Sequence, residues 1–375
     1  MKKNGINATV NGISSSASTQ CTNDQQWTKY HTKQGGGFAA EDANAIWDRM
    51  HGKSVEKVGL DNSLNGADRI SNGVHIQTKY CADASKSVAA AFENGSYRYS
   101  GMKLEVPSDQ YEEALRLMRG RISKGEVPGV TDPNMADQIV IKGHYTYDEA
   151  VRIAKPGNLD SIRFDIKTQS VACAFACGLS FAVTYGTAKA NGMSNAEALK
   201  AASIQAAKSG GVTMVAGVVA QQFLRTGAGR GCAAAATKAV KPVVQAVMKT
   251  EVGKTAITKT ASAFAGKQVA GAAAANVVTK AVRTNAIVSG VVFAVTTIPD
   301  TVKLCQGKIT GREFAENTAT NAAGVGGGWA GASAGAAIGS LICPGIGTAI
   351  GGIIGGLGGG MGASWGVKKL FSKGR

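Results

Sequence analysis

From Asn317 to Val367 the chain runs 51 residues with no acidic or basic side chain, Cys343 being its one ionisable group. Gly327, Gly331, Gly335 and Gly339 fall at every fourth position, and Gly347, Gly351, Gly355 and Gly359 repeat the pattern beyond Cys343-Pro344-Gly345. A period of four lines glycines along one helical ridge, where two backbones can approach closely, as small residues do between helices in lipid. In water each such glycine costs a helix about 1 kcal/mol relative to alanine, so the segment is expected to be buried in membrane or in an oligomeric core. Each arm, about 20 residues, matches the ~30 Å hydrocarbon core of a bilayer. Residues 317–370 are therefore expected to form a glycine-zipper helical hairpin that meets membrane lipids and offers a surface for a homo-oligomer.

Charge divides the rest. The net charge is +16, but residues 171–375 hold 20 Lys and Arg against Glu197, Glu251, Asp300, Glu313 and Glu316, while residues 1–170 are nearly balanced. Two chemically different halves meet near residue 170. Residues 168–316 read as a basic helical region with uncharged stretches at 168–188, 210–224 and 285–299, and Ser194 with Glu197 forms a capping box. Its basic part, Arg225 to Arg283, suits anionic lipid or nucleic acid. Lys303, Lys308 and Arg312 precede the glycine hairpin and Lys368, Lys369, Lys373 and Arg375 follow it, so positive-inside reasoning puts both its ends in the cytoplasm. The opening MKKNGINATVNGISSS has no apolar run behind its lysines, and no secretory signal is expected. The expected location is a bacterial inner membrane with the N-terminal domain in the cytoplasm.

Residues 1–37 are polar, lack periodicity and end in three glycines, and read as a flexible arm. Residues 38–165 read as an α/β domain. Phe38, Ala43, Ile46, Trp47 and Met50 keep helical spacing. VEKVGL reads as a strand, and ADRISNGVHIQTKYC as two strands hinged at Asn72-Gly73. A short helix, the strand MKLEVP, the helix YEEALRLMRGRISKG and the helix TYDEAVRIAKPG follow. The expected class is a small mixed sheet flanked by helices, followed by an all-α, Ala/Gly-rich region.

Within this domain, charges stand where a small sheet wants apolar residues. Gln77 and Lys79 alternate with Ile76, Thr78 and Tyr80, so they share a face. A hairpin at Asn72-Gly73 brings Asp68 opposite them, and Glu41 comes from the first helix. Two carboxylates, an amide oxygen and a lysine at a sheet edge suit a hard divalent cation such as Mg²⁺ and phosphodiester hydrolysis. Glu on a first helix, then Asp, then a hairpin strand with (E/Q)xK resembles the PD-(D/E)xK nuclease superfamily. NGADRISNGVHIQTKYC is most similar to its Mrr-type restriction endonuclease branch, over about residues 35–125. The resemblance implies Asp68 and Glu41 as metal-binding acids, Gln77 in the slot usually held by Glu or Asp, and Lys79 as the catalytic lysine. Two departures stand: Ala67 replaces the usual proline, and Gln77 brings no charge. Asp61 is the rival aspartate.

The implied function is a membrane-tethered, Mg²⁺-dependent nuclease acting on nucleic acid, DNA above all, as a defence or toxin effector. Two rivals stand beside it. In one the C-terminal region inserts or oligomerises as a pore or scaffold and the N-terminal domain is a non-catalytic sensor. In the other the chain is a soluble, basic nucleic-acid-binding protein. Gly326, Gly328 and Gly331 satisfy GxGxxG with no strand before them, and the four histidines lack HExxH spacing, so dinucleotide and zinc-protease readings find no support.

Overall fold

The computed structural model describes residues 18–19, 21–22, 25–58, 65–265, 268–342 and 346–373. The rival Asp61 and the Cys343-Pro344-Gly345 turn lie outside the described residues. The chain divides into two compact units, Gln25–Phe164 and, with the residues up to Asp24, Asp165–Arg375.

The first unit is α/β. Helix α1 (Gly35–Met50) precedes β1 (Val55–Lys57), β2 (Arg69–Ser71) and β3 (Val74–Thr78). Helix α2 (Ala84–Ala89), the small hairpin β4 (Phe92–Glu93) and β5 (Ser96–Tyr97), strand β6 (Lys103–Val106) and helix α3 (Tyr111–Ser123) follow. Helix α4 (Ala136–Ile139), strand β7 (Val140–Lys142) and helix α5 (Tyr147–Ile153) complete it. The main sheet has the order β1-β2-β3-β6-β7, antiparallel from β1 to β3 and parallel from β3 to β7.

The expected hairpin forms as its sequence dictates. Asn72 and Gly73 both take positive φ (48° and 80°), the conformation a two-residue turn of right-handed strand twist requires. One face of β6 presents Leu104 and Val106, fully buried, to Val88, Met118, Ile122 and Val140. The intervening Glu105 points to the other face, where it too is buried. Helices α1 and α5 cover that side, where Ala40 and Ala150 pack with Tyr80 beyond β3.

Two expectations are corrected, and two elements are additional. Residues 1–37 are not a flexible arm throughout, because Trp27 and Tyr30 are buried (2% and 4% exposed) and the three glycines begin α1 instead of preceding it. Lys79 is not at a sheet edge: it directly follows β3, the central strand, and its N–H donates to the Glu105 carbonyl at 2.8 Å. Strand β7 and the β4–β5 hairpin were not foreseen.

The second unit is helical: α6 (Leu159–Ala190), α7 (Asn195–Arg225), α8 (Gly227–Val247), α9 (Glu251–Ala265), α10 (Gly271–Cys305), α11 (Gly311–Ile342) and α12 (Ile346–Lys373). Together with the α/β unit this is the expected fold class. The Ser194–Glu197 capping box forms at the start of α7. Helices α6 and α10 are long and apolar enough to cross a membrane. Several of their large apolar side chains are exposed, Val171, Phe175, Ile298 and Val302 among them.

Helices α11 and α12 pack along their glycines. A methyl group on Gly327 would lie 2.5 Å from the Gly359 carbonyl oxygen and 2.6 Å from the Ala363 Cβ. One on Gly331 would enter the Gly355 carbonyl, and one on Gly359 the Gly327 carbonyl. Gly335, Gly339, Gly347 and Gly351 continue the two helices. At Gly327, Gly331, Gly355 and Gly359 the two ridges face each other inside one chain, as the expected helical hairpin requires.

Candidate functional site

Strand register builds the site. Arg69 pairs with Ile76 and the Asp68 N–H donates to the Ile76 carbonyl at 2.9 Å, so Asp68 arrives beside Gln77. The Gln77 amide Nε2 donates to Asp68 Oδ2 at 2.8 Å, and the Thr78 N–H donates to the same oxygen at 2.8 Å. Gln77 Oε1 is buried and, among the described residues, has no hydrogen-bond partner.

Glu41 is delivered by α1, which is fixed to the unit by its neighbour Asp42. The buried Asp42 carboxylate accepts the Gln26 N–H, the Tyr30 hydroxyl and the Lys57 ammonium, each at 2.6 Å. Gln26 Nε2 in turn donates to Glu41 Oε2 at 2.6 Å. Glu41 therefore sits in a desolvated position that the preceding segment closes.

Electrostatics tie the four residues together. Burial, then the Asp68 charge, pushes the Glu41 carboxyl up to about 8, although the Gln26 hydrogen bond and the Lys79 charge pull the other way. Burial also raises Asp68, against the opposing pull of the Thr78 N–H, Lys79 and Gln77. The Glu41 carboxyl thus bears both burial and the neighbouring Asp68 charge, and joint ionisation of the two is disfavoured. Lys79 forms no ion pair among the described residues, and its Nζ lies 5.4 Å from the Tyr99 ring centroid. Glu41, Asp68, Gln77 and Lys79 are thus brought together.

Beneath them lies a charge network that sequence reasoning missed. Arg69 donates from both terminal nitrogens to Glu105, at 2.7 and 2.6 Å, and reaches Asp48 at 3.1 Å. Thr78 Oγ1 donates to Glu105 at 2.9 Å. Burial opposes the Arg69 charge, but Glu105 and Asp48 more than offset it and hold the guanidinium firmly protonated. Burial likewise disfavours Asp48 ionised, and hydrogen bonds from His144 and Lys53 with the Arg69 charge overturn that, holding it below the usual carboxylate range. The Trp47 ring stacks between His51 and His144, with centroids 3.6 and 3.4 Å away.

The donor set fits a hard cation. Two carboxylates and an unpartnered amide oxygen are the oxygen ligands that Mg²⁺ takes. Among the described residues no group of three or more His, Cys, Asp and Glu side chains is placed to hold a metal ion.

Comparison with known proteins gives two family matches. A model described as the YeeR C-terminal domain matches residues 18–123, and one described as a C13G5.2-like, glycine zipper domain matches residues 307–366. Inner membrane protein YeeR of Escherichia coli (strain K12) is 46% identical over 128 residues, 32% of this chain and 25% of that protein. The chain thus spans about a quarter of the length of the relative it matches. No solved structure matches. The glycine-zipper expectation meets a matching family, whereas neither family description names a nuclease.

Proposed function

We propose that this chain is a membrane-anchored protein whose α/β unit holds a divalent cation and hydrolyses phosphodiester bonds in nucleic acid. The anchor is supported by the glycine-zipper match, by a relative named as an inner membrane protein, and by the uncharged stretches of α6 and α10 with their exposed Val171, Phe175 and Ile298. Apolar surface of that extent on long helices calls for lipid in place of water. The hydrolytic reading is carried by one observation: Glu41 of α1 feels the charges of Asp68, just before β2, and Lys79, just after β3, while Gln77 of β3 donates to Asp68 and its Oε1 is, among the described residues, without a hydrogen-bond partner.

Each residue has a task. Asp68, its Oδ2 held by Thr78 and Gln77, and Glu41, held by Gln26, would bind Mg²⁺ together with Gln77 Oε1. When bound, the cation supplies a more acidic water and offsets charge on the phosphate. Lys79, in no ion pair among the described residues, would place its ammonium to hold a scissile phosphate oxygen and orient the attacking water. The Arg69–Glu105 pair fixes β2 against β6 and so sets the height of Asp68 and Lys79.

The test is a nuclease assay of the full chain in detergent, on DNA and RNA, with Mg²⁺ and with EDTA. Lys79→Ala and Asp68→Asn should each lower cleavage by about 100-fold or more, the scale for removing one charged transition-state contact. Wild-type cleavage by both variants, or none by the parent in Mg²⁺, removes the hydrolytic reading. A second reading then takes its place, in which the membrane helices are the active part and the α/β unit is a sensor; the interlocked glycines of α11 and α12 favour it.

A further inference from the structure

A cavity of about 530 Å³ lies among α7, α10 and α11, in the helical unit and separate from the acid–lysine site. It is a size that holds small ligands. Its wall mixes apolar surface from Val212, Val295 and Pro299 with polar side chains, Lys208 from α7, Lys303 from α10 and Thr320 from α11 among them.

Three observations define what it accepts. First, its charge is positive. Asp300 is taken by Lys303 at 2.8 Å, and Lys208 has no acidic partner among the described residues. Second, donors are left over. Thr320 is 2% exposed, and its hydroxyl, like that of Thr318, is buried and, among the described residues, without a hydrogen-bond partner. Third, Pro299 within α10 has no N–H to give the backbone carbonyl of Val295, a residue that lines the cavity. A cation, spare hydroxyl donors and a spare carbonyl match a phosphate ester that carries its own hydroxyl groups.

The level of the cavity is informative. The uncharged stretch of α10 ends at Pro299 and that of α11 begins at Asn317, while Lys303, Lys308 and Arg312 lie between them. A basic recess where apolar helices meet charged loops is the depth of lipid headgroups.

We infer that this cavity is a binding site for a hydroxyl-bearing phosphate ester, the chemistry shared by a phosphoglycerol lipid headgroup and a free glycerol phosphate. The lipid source rests on the membrane reading; the phosphate chemistry does not. Lys208 and Thr320 hold the phosphate, and the Val295 carbonyl accepts a ligand hydroxyl.

The experiment uses the full chain, washed in a non-ionic detergent, and titrates dioctanoyl-phosphatidylglycerol, dioctanoyl-phosphatidylcholine and sn-glycerol 3-phosphate, with binding read by native mass spectrometry. Saturable binding of the phosphatidylglycerol, with the choline lipid weaker, is expected. Lys208→Gln should weaken it about fivefold, the scale of one lysine beside a phosphate-rich surface. Thr320→Val should weaken it as well, and Lys238→Gln on α8, outside the cavity, should not. Equal binding of glycerol phosphate makes the free compound the source and leaves the site in place, even if the parent chain proves soluble without detergent. Absence of saturable binding by the parent to either phosphate ester overturns the site, whatever the variants do. So does unchanged binding by Lys208→Gln with wild-type helix content.

Discussion

The α/β unit and the glycine hairpin solve opposite packing problems. In the first, helix α1 and the sheet meet across charge: Asp42, Asp48, Arg69 and Glu105 are all buried, and each finds a partner of opposite sign. In the second, α11 and α12 meet at Gly327, Gly331, Gly355 and Gly359 with backbone against backbone, where any methyl would intrude. Buried ion pairs offset the cost of desolvation only when geometry is met, so they set one arrangement. Backbone-to-backbone contact sets one arrangement by leaving no room. The first device leaves space for chemistry, because a unit that tolerates buried charge can also keep a strained acid pair such as Glu41 and Asp68. The second leaves none.

The largest test of this contrast removes the charge device. Arg69→Leu strands Glu105 and Asp48 in the interior, and losing one partner of a buried pair costs about 3–5 kcal/mol. Hydrogen exchange across Arg69–Thr78 in the full chain should then speed up strongly, with α11 and α12 unaffected. Protection equal to the parent would mean that the network contributes little to the fold. The double variant Arg69→Leu/Glu105→Leu should recover part of the loss, since two apolar groups leave no orphan.

The hairpin is probed by Gly331→Leu with Gly355→Leu. Forcing extra methylenes into a close-packed contact costs about 1–3 kcal/mol per site. The variant gains hydropathy, so it should stay in the membrane fraction while losing resistance of the hairpin to protease. A hairpin that stays as protected as the parent would show that hydropathy, and not close approach, holds it.

Much of both regions was readable because the signals were local. Asn72-Gly73 dictates the turn, the turn dictates register, and register puts Asp68 beside Gln77. The glycine period is likewise local. What was missed is non-local. Arg69 and Glu105 are 36 residues apart, and nothing near either announces the other. Strand β7 is three residues long and joins the sheet in parallel, with no turn to signal it. Trp27 and Tyr30 lie in a polar run without periodicity, so their burial follows from Asp42 accepting the Tyr30 hydroxyl, a contact that exists only in the folded unit. The lysine's place at a central strand was missed for the same reason, since β6 pairs with β3 from about 25 residues away and with a helix between them.

The smallest effect concerns the one strained group. The Glu41 carboxyl, raised from 4.5 to about 8, holds its proton in the folded chain at pH values where the unfolded chain has released it. Between those limits the folded state binds more protons, so stability falls as pH rises. The contribution is fully present below about 4.5 and gone once pH passes about 8. Glu41→Gln keeps an acceptor for Gln26 Nε2 and cannot ionise. In EDTA, hydrogen exchange across α1 should therefore slow in the variant relative to the parent above pH 8, and the two should converge near pH 5. Adding Mg²⁺ at pH 8.5 should protect the parent, whose acid pair then gains a cation, and leave the variant nearly unchanged. Parallel pH profiles in EDTA would mean that neither burial nor Asp68 strains Glu41, and the contrast between a unit that keeps charge under tension and a hairpin that excludes it would lose its sharpest instance.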